Sequence, residues 1–117
     1  MSDATTQMGR IMGWQAEQVA SVLAALSSVS EGDGTLLDNT VVLWTNELGV
    51  HNFSHSKDNV AAMLAGGGGG QLAPGRLVDA QGAHYHDLLF TLAHVLGETE
   101  LTTFGTWGAN VCTPLLV

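Results

Sequence analysis

The run "TVVLWT", Thr40–Thr45, restricts this chain more than any other stretch. Four of its six residues are β-branched and one is tryptophan, so it favours extended backbone. It has almost no polar alternation. A strand with one face in water alternates apolar and polar residues, whereas a strand covered on both faces reads as a continuous apolar run. The run therefore predicts a strand buried on both faces, as in a parallel sheet covered by helices.

The flanking segments are consistent with such a layer. From Met8 to Val29, Ile11, Met12, Val19, Val22, Leu23 and Leu26 recur at helical spacing, with alanines between them and no proline. This predicts one amphipathic helix ending near Ser28. "SEGDGTLLDNT" supplies turn residues, Gly32, Asp33, Gly34, Asp38 and Asn39. "NVAAMLAG" reads as a second buried strand, stopped by the five glycines Gly66–Gly70, and "GRLVDA" as a short edge strand. "HDLLFTLAHVLG" places Leu88, Leu89, Leu92, Val95 and Leu96 on one helix face, with Gly97 as the C-terminal stop. The expected fold class is α/β: a small sheet of two to four mostly parallel strands flanked by two main helices, within a single domain over residues 1–117. So few strands leave a sheet edge unpaired. Either the chain forms a homo-oligomer through that edge, or it is part of a wider sheet completed by a missing N-terminal region.

Charge narrows the partners. Only 12% of the 117 residues are charged, and the net charge of −8 includes just three basic side chains, Arg10, Lys57 and Arg76. Nucleic-acid binding requires clustered Lys and Arg and is excluded as an expectation; an anionic membrane surface is disfavoured for the same reason. The start, "MSDATTQMGRIMGWQ", lacks the basic start and apolar core of an export signal, and no apolar run approaches the ~20 residues of a membrane span. Cys112 is the only cysteine, so no intrachain disulfide can form.

The residues with chemical potential cluster after the first strand. Glu47, His51 and His55 supply carboxylate and imidazole groups, the usual ligands of Zn²⁺, Mn²⁺ or Fe. Loops beyond the carboxyl ends of strands are where α/β sheets gather functional groups. The alternative is an exposed polar loop in which Glu47 caps or pairs at the surface. His84 and His86 in "AHYHD" share a side if extended and could face one ion; otherwise Asp87 or His86 caps the following helix. His94 reads as a partly buried helix histidine. The five glycines lack the Lys and Ser/Thr of a phosphate loop, and "EGDGTLLDNT" lacks the alternating ligands of a calcium loop. Trp14, Trp44, Phe90 and Trp107 are core or interface candidates.

"EGDGTLLDNTVVLWTNELG", "HSKDNVAAMLAGGGGG", "GRLV", "HDLLFTLAHVLG" and "TFG", in that order, resemble the C-terminal portion of the DUF1552 family over roughly 15–115. That family and the related DUF1501 proteins look like distant members of the alkaline phosphatase and sulfatase superfamily. The resemblance implies that Glu47, with Asn46, occupies a strand-end metal-ligand position and that His55 in "HS" occupies a later one; His51 has no counterpart. In such hydrolases two metals activate a nucleophile and stabilise the transferring group. The superfamily's nucleophile and further ligands come from a region N-terminal to this segment, and Ala61 stands where the family carries proline. The resemblance therefore implies a C-terminal lobe or truncated fragment, inactive alone, whose full-length relatives are exported bacterial proteins.

Overall fold

The computed structural model describes residues 3–49 and 55–117. The chain forms two compact units, Met1–Leu37 and Asp38–Val117.

The first unit is a helix and a minimal hairpin. Helix α1 spans Asp3–Ser28, close to the range that its apolar spacing predicts. Asp3 in the first turn complements the positive end of the helix and accepts a hydrogen bond from Gln7 Nε2 at 2.7 Å. At the other end the hydroxyls of Ser27 and Ser28 donate to the carbonyls of Ala24 and Ala25, at 3.0 and 2.7 Å, folding back on the last turn. Strands β1 (Ser30–Glu31) and β2 (Gly34–Thr35) then pair antiparallel around Gly32-Asp33. Gly32 takes φ +58°, as a two-residue hairpin turn with glycine at its first central position requires. No residue of α1 is buried.

The second unit holds the core. Strands β3 (Val42–Thr45) and β4 (Ala62–Ala65) pair antiparallel, with Leu43 opposite Leu64 and Trp44 opposite Met63. Leu43 and Leu64, with Val41, Leu88 and Leu116, pack on the buried cluster Leu72, Leu92 and Val95. Side chains alternate across a strand, so Trp44 and Met63 lie on the opposite face, where Met63 is 37% exposed. Helix α2 (Tyr85–Val95) supplies the largest part of the core from Leu88, Leu92 and Val95, at i, i+4 and i+7. It ends at Leu96 and Gly97. Gly97, at φ +100°, donates to His94 O and Glu98 donates to Ala93 O, both at 3.0 Å, the pair of bonds that closes a helix through a left-handed residue.

The five glycines form a tight turn. Gly68 is buried, its N–H donates to Thr40 O, and a Cβ there would lie 2.7 Å from Val95 Cγ1. A Cβ on Gly67 would lie 2.4 Å from Asp38 O. Only hydrogen fits at these two positions, so glycine lets the chain cross the core at backbone distance.

Three expectations are corrected. The strands are antiparallel, not mostly parallel: β3 and β4 are successive partners joined by a loop, with no helical crossover between them. "TVVLWT" is half-buried throughout, because only one face of β3 meets the core. "GRLVDA" is not a strand. Residues 76–80 have no strand partner, and Leu77 is fully exposed. The mixed helix and strand content of an α/β class holds in both units together. No described helix is long and apolar enough to cross a membrane.

Candidate functional site

Glu47 lies two residues beyond the end of β3, in the loop that returns to β4. The two arms of this loop are drawn together at a neck. Gly49 N–H donates to Ser56 O at 2.8 Å, and Thr45 Oγ1 donates to Ala61 O at 3.1 Å. Any Cβ on Gly49 would fall 1.5 Å from Asp58 O, so only glycine allows the arms to approach this closely. On the returning arm, Asp58 N–H donates to Ser56 Oγ at 3.2 Å and the Ser56 hydroxyl donates to Asp58 Oδ2 at 3.3 Å, a local turn that fixes the strand entry. Asn46, Glu47 and His55 thus stand on the two arms beside this neck, and all three are exposed. His51 lies outside the described residues.

The second histidine group belongs to the start of α2. His84 is the residue before the helix, in extended conformation, and its N–H donates to Asp87 Oδ2 at 3.0 Å. The His84 ring stacks on Trp107 at 5.3 Å and 7°, while the His86 ring is 6.5 Å from it and tilted by 40°. The two-residue spacing therefore does not set the rings side by side, because the chain turns helical between them. His94 is half-buried as its helix position predicts; Nε2 donates to Leu101 O at 2.9 Å and the ring contacts Phe90 at 4.4 Å.

Asp87 does more than cap a helix. Its carboxylate, 5% exposed, accepts the N–H of His84 on Oδ2 and those of Ala109 and Asn110 on Oδ1, at 3.1 and 3.0 Å. Burial alone would raise its pKa, but the backbone donors Asn110, His84 and Ala109 favour the charged form more strongly and hold it below the ordinary carboxylate value. One turn on, the fully buried Thr91 donates from Oγ1 to Asp87 O at 2.7 Å and accepts Cys112 N–H at 2.8 Å. These two side chains fasten the C-terminal tail to α2. Burial pushes the Cys112 thiol up, and the Asp87 charge adds to this; the Thr91 contact opposes it. The sequence offers Asp87 or His86 as the helix cap; the capping residue is His84, and Asp87 stands at the third helical position, accepting the His84 N–H. The hold of Asp87 on Ala109 and Asn110, more than twenty residues away, has no local signal.

Asn46, Glu47, Asp58, Asp79, His84 and His86 line one open hollow of about 1820 Å³ in the second unit. Small-molecule pockets are concave and closed at about 300–1,000 Å³, so a hollow this broad is not shaped to enclose one. Carboxylate, amide and imidazole suit a divalent metal in kind. In number they fall short: among the described residues, no three His, Cys, Asp or Glu side chains gather closely enough to hold an ion. No family model, curated protein or solved structure matches this chain.

Proposed function

We propose that this chain serves as the C-terminal lobe of an alkaline-phosphatase-like or sulfatase-like metal-dependent hydrolase, as its resemblance to the DUF1552 family implies. In this reading Glu47 and His55, with Asn46 beside them, contribute to a divalent-metal site, and the lobe turns over no ester by itself. The observation that carries it is the glycine neck. A backbone contact tolerable only for Gly49 draws together the two arms that bear a strand-end carboxylate and a histidine. Such an arrangement offers two donors of the four or more that a catalytic Zn²⁺ or Mn²⁺ takes, and further ligands come from outside this set.

The test uses the full chain with p-nitrophenyl phosphate and p-nitrophenyl sulfate in the presence of Zn²⁺ or Mn²⁺, alongside calorimetric metal titration. The expected result is no turnover, with weak metal uptake that Glu47→Ala and His55→Ala each reduce. Metal-dependent hydrolysis abolished by Glu47→Ala would overturn the inactivity of the lobe. Metal uptake unaffected by either substitution would overturn the site.

A second reading is a non-catalytic interaction module that forms a homo-oligomer. It is favoured by two observations: β3 and β4 have no third strand beside them among the described residues, and α1 has no buried residue. The two readings are compatible, since a lobe that lacks part of its site can also be a subunit.

A further inference from the structure

Helix α1 carries a seam of apolar residues at an even period. Met8, Met12, Gln15, Val19, Val22 and Leu26 follow one another at alternating steps of four and three, and Val29 continues the series just past the helix. That is the 3.5-residue period of helices that wind around each other, with Met12, Val19 and Leu26 at a and Met8, Gln15, Val22 and Val29 at d. The charges keep the same period. Asp3, Arg10 and Glu17 are seven apart and all fall at f, the position farthest from the seam. Beside the seam stand Gly9, Ala16 and Leu23 on one edge and Ile11, Gln18 and Ala25 on the other, none of them charged. Met8, Ile11 and Val22 are 58%, 51% and 52% exposed.

We infer that α1 pairs with α1 of a second copy of this chain as a parallel, in-register two-helix coiled coil. The inference rests on the interaction-module reading and gives it a surface and a partner. Uncharged edges offer nothing to select an oppositely charged partner. They also keep the −8 charge of each copy off the contact, so self-association is not opposed there. Gln15 sets the direction. In a parallel pair it meets its own counterpart, and each amide both donates and accepts; an antiparallel pair would bury it against Met12 or Val19 with no partner. The area is adequate. Twenty-one residue steps run about 32 Å, and an arc of about 150° on a helix about 12 Å across removes on the order of 500 Å² from water on each copy, about 1,000 Å² in all, the floor for a specific interface. At 37 residues the unit is below the roughly 40 at which an isolated fold stands without a disulfide, a metal or association, and the chain's one cysteine, Cys112, lies in the other unit, so association suits it.

The experiment is light scattering on the full chain at about 50 μM, near the micromolar affinity that such a modest interface supports, together with disulfide trapping in a Cys112→Ser background. The expected mass is twice 12.2 kDa, falling by half in Val22→Glu/Leu26→Glu. Val22→Cys should cross-link to its counterpart on oxidation, while Ala24→Cys at the outer f position should not. A monomeric wild-type chain, whether or not it binds lipid vesicles, would overturn both the pairing and the homo-oligomeric module. A dimer that gives no Val22→Cys cross-link and survives the double glutamate substitution would overturn the α1 pairing alone, leaving association through a strand edge.

Discussion

Replacing Asp87 by asparagine changes no heavy-atom count and removes one charge from the corner where α2 meets the tail. The wild-type carboxylate accepts three backbone N–H groups. An asparagine amide must turn its NH₂ toward one of the two oxygen positions. The cheaper orientation keeps its oxygen facing Ala109 and Asn110 and sets the NH₂ against His84 N–H. Losing that bond, whose donor sits on an exposed residue, costs about 0.5–1.5 kcal/mol, and the two surviving bonds lose charge assistance worth on the order of 0.5–1 kcal/mol each. Asp87→Asn should therefore destabilise the second unit by about 1.5–3.5 kcal/mol, which lowers the urea midpoint by roughly 1.5–3.5 M for an m-value near 1 kcal/mol/M. Amide exchange at His84, Ala109 and Asn110 should accelerate more than at Leu92. The wild-type dependence on pH has a definite sign. Because the native pKa lies below the model-compound value of 3.8, the unfolded chain binds this proton first as pH falls. The Asp87 contribution is thus fully present above about pH 4 and is lost as pH drops through the lowered native value. Asp87→Asn should lack that component. A midpoint within 0.5 M of wild type, or acid titrations of the two proteins that run parallel below pH 4, would refute the account of Asp87 as the tail's anchor.

Two further outcomes follow from the same geometry. Gly68→Ala places a methyl 2.7 Å from Val95 Cγ1 at φ +55°, whereas Gly69→Ala at φ +68° meets only open space. The first should cost about 2–5 kcal/mol, from left-handed strain plus overpacking, and the second only about 1–2, read as thermal unfolding midpoints; equal losses would show that the glycine turn is not packed as described. The Cys112 thiol is held above its usual value of 9.0, so alkylation by iodoacetamide at pH 8 should be slower in the folded chain than in urea. The stability from that raised thiol is complete below about pH 9 and fades as pH rises toward the native value; alkylation at equal rates in both states would contradict the burial of this side chain.

Local patterns carried much of the secondary structure. The apolar spacing of 8–29 and of 86–97 predicts α1 and α2 because a helix is made within its own segment, and Gly97 stops α2 for a conformational reason that any context preserves. Strand direction is different. A continuous apolar run such as Val41–Trp44 can be covered on both faces or can face one core with a large side chain on its outer side. Here Trp44 and Met63 shield each other across the pair, and no second helix is needed. Likewise "RLV" in 76–78 has strand-forming residues but no neighbour to supply the ladder, so it forms no strand.

The candidate site divides in the same way. The sequence by itself determined which side chains could bind a metal, that Glu47 follows a strand end, and that only three side chains carry positive charge. Chemical type and position along a strand are properties of the local chain. Only the tertiary structure decided that the arms around Glu47 and His55 meet at Gly49, that His84 turns onto Trp107 instead of toward His86, and that Asp87 gathers donors from 109 and 110. The neck closes a loop across seven to nine residues, and the other two contacts span more than twenty. Such contacts depend on how the chain closes, and no local propensity encodes them.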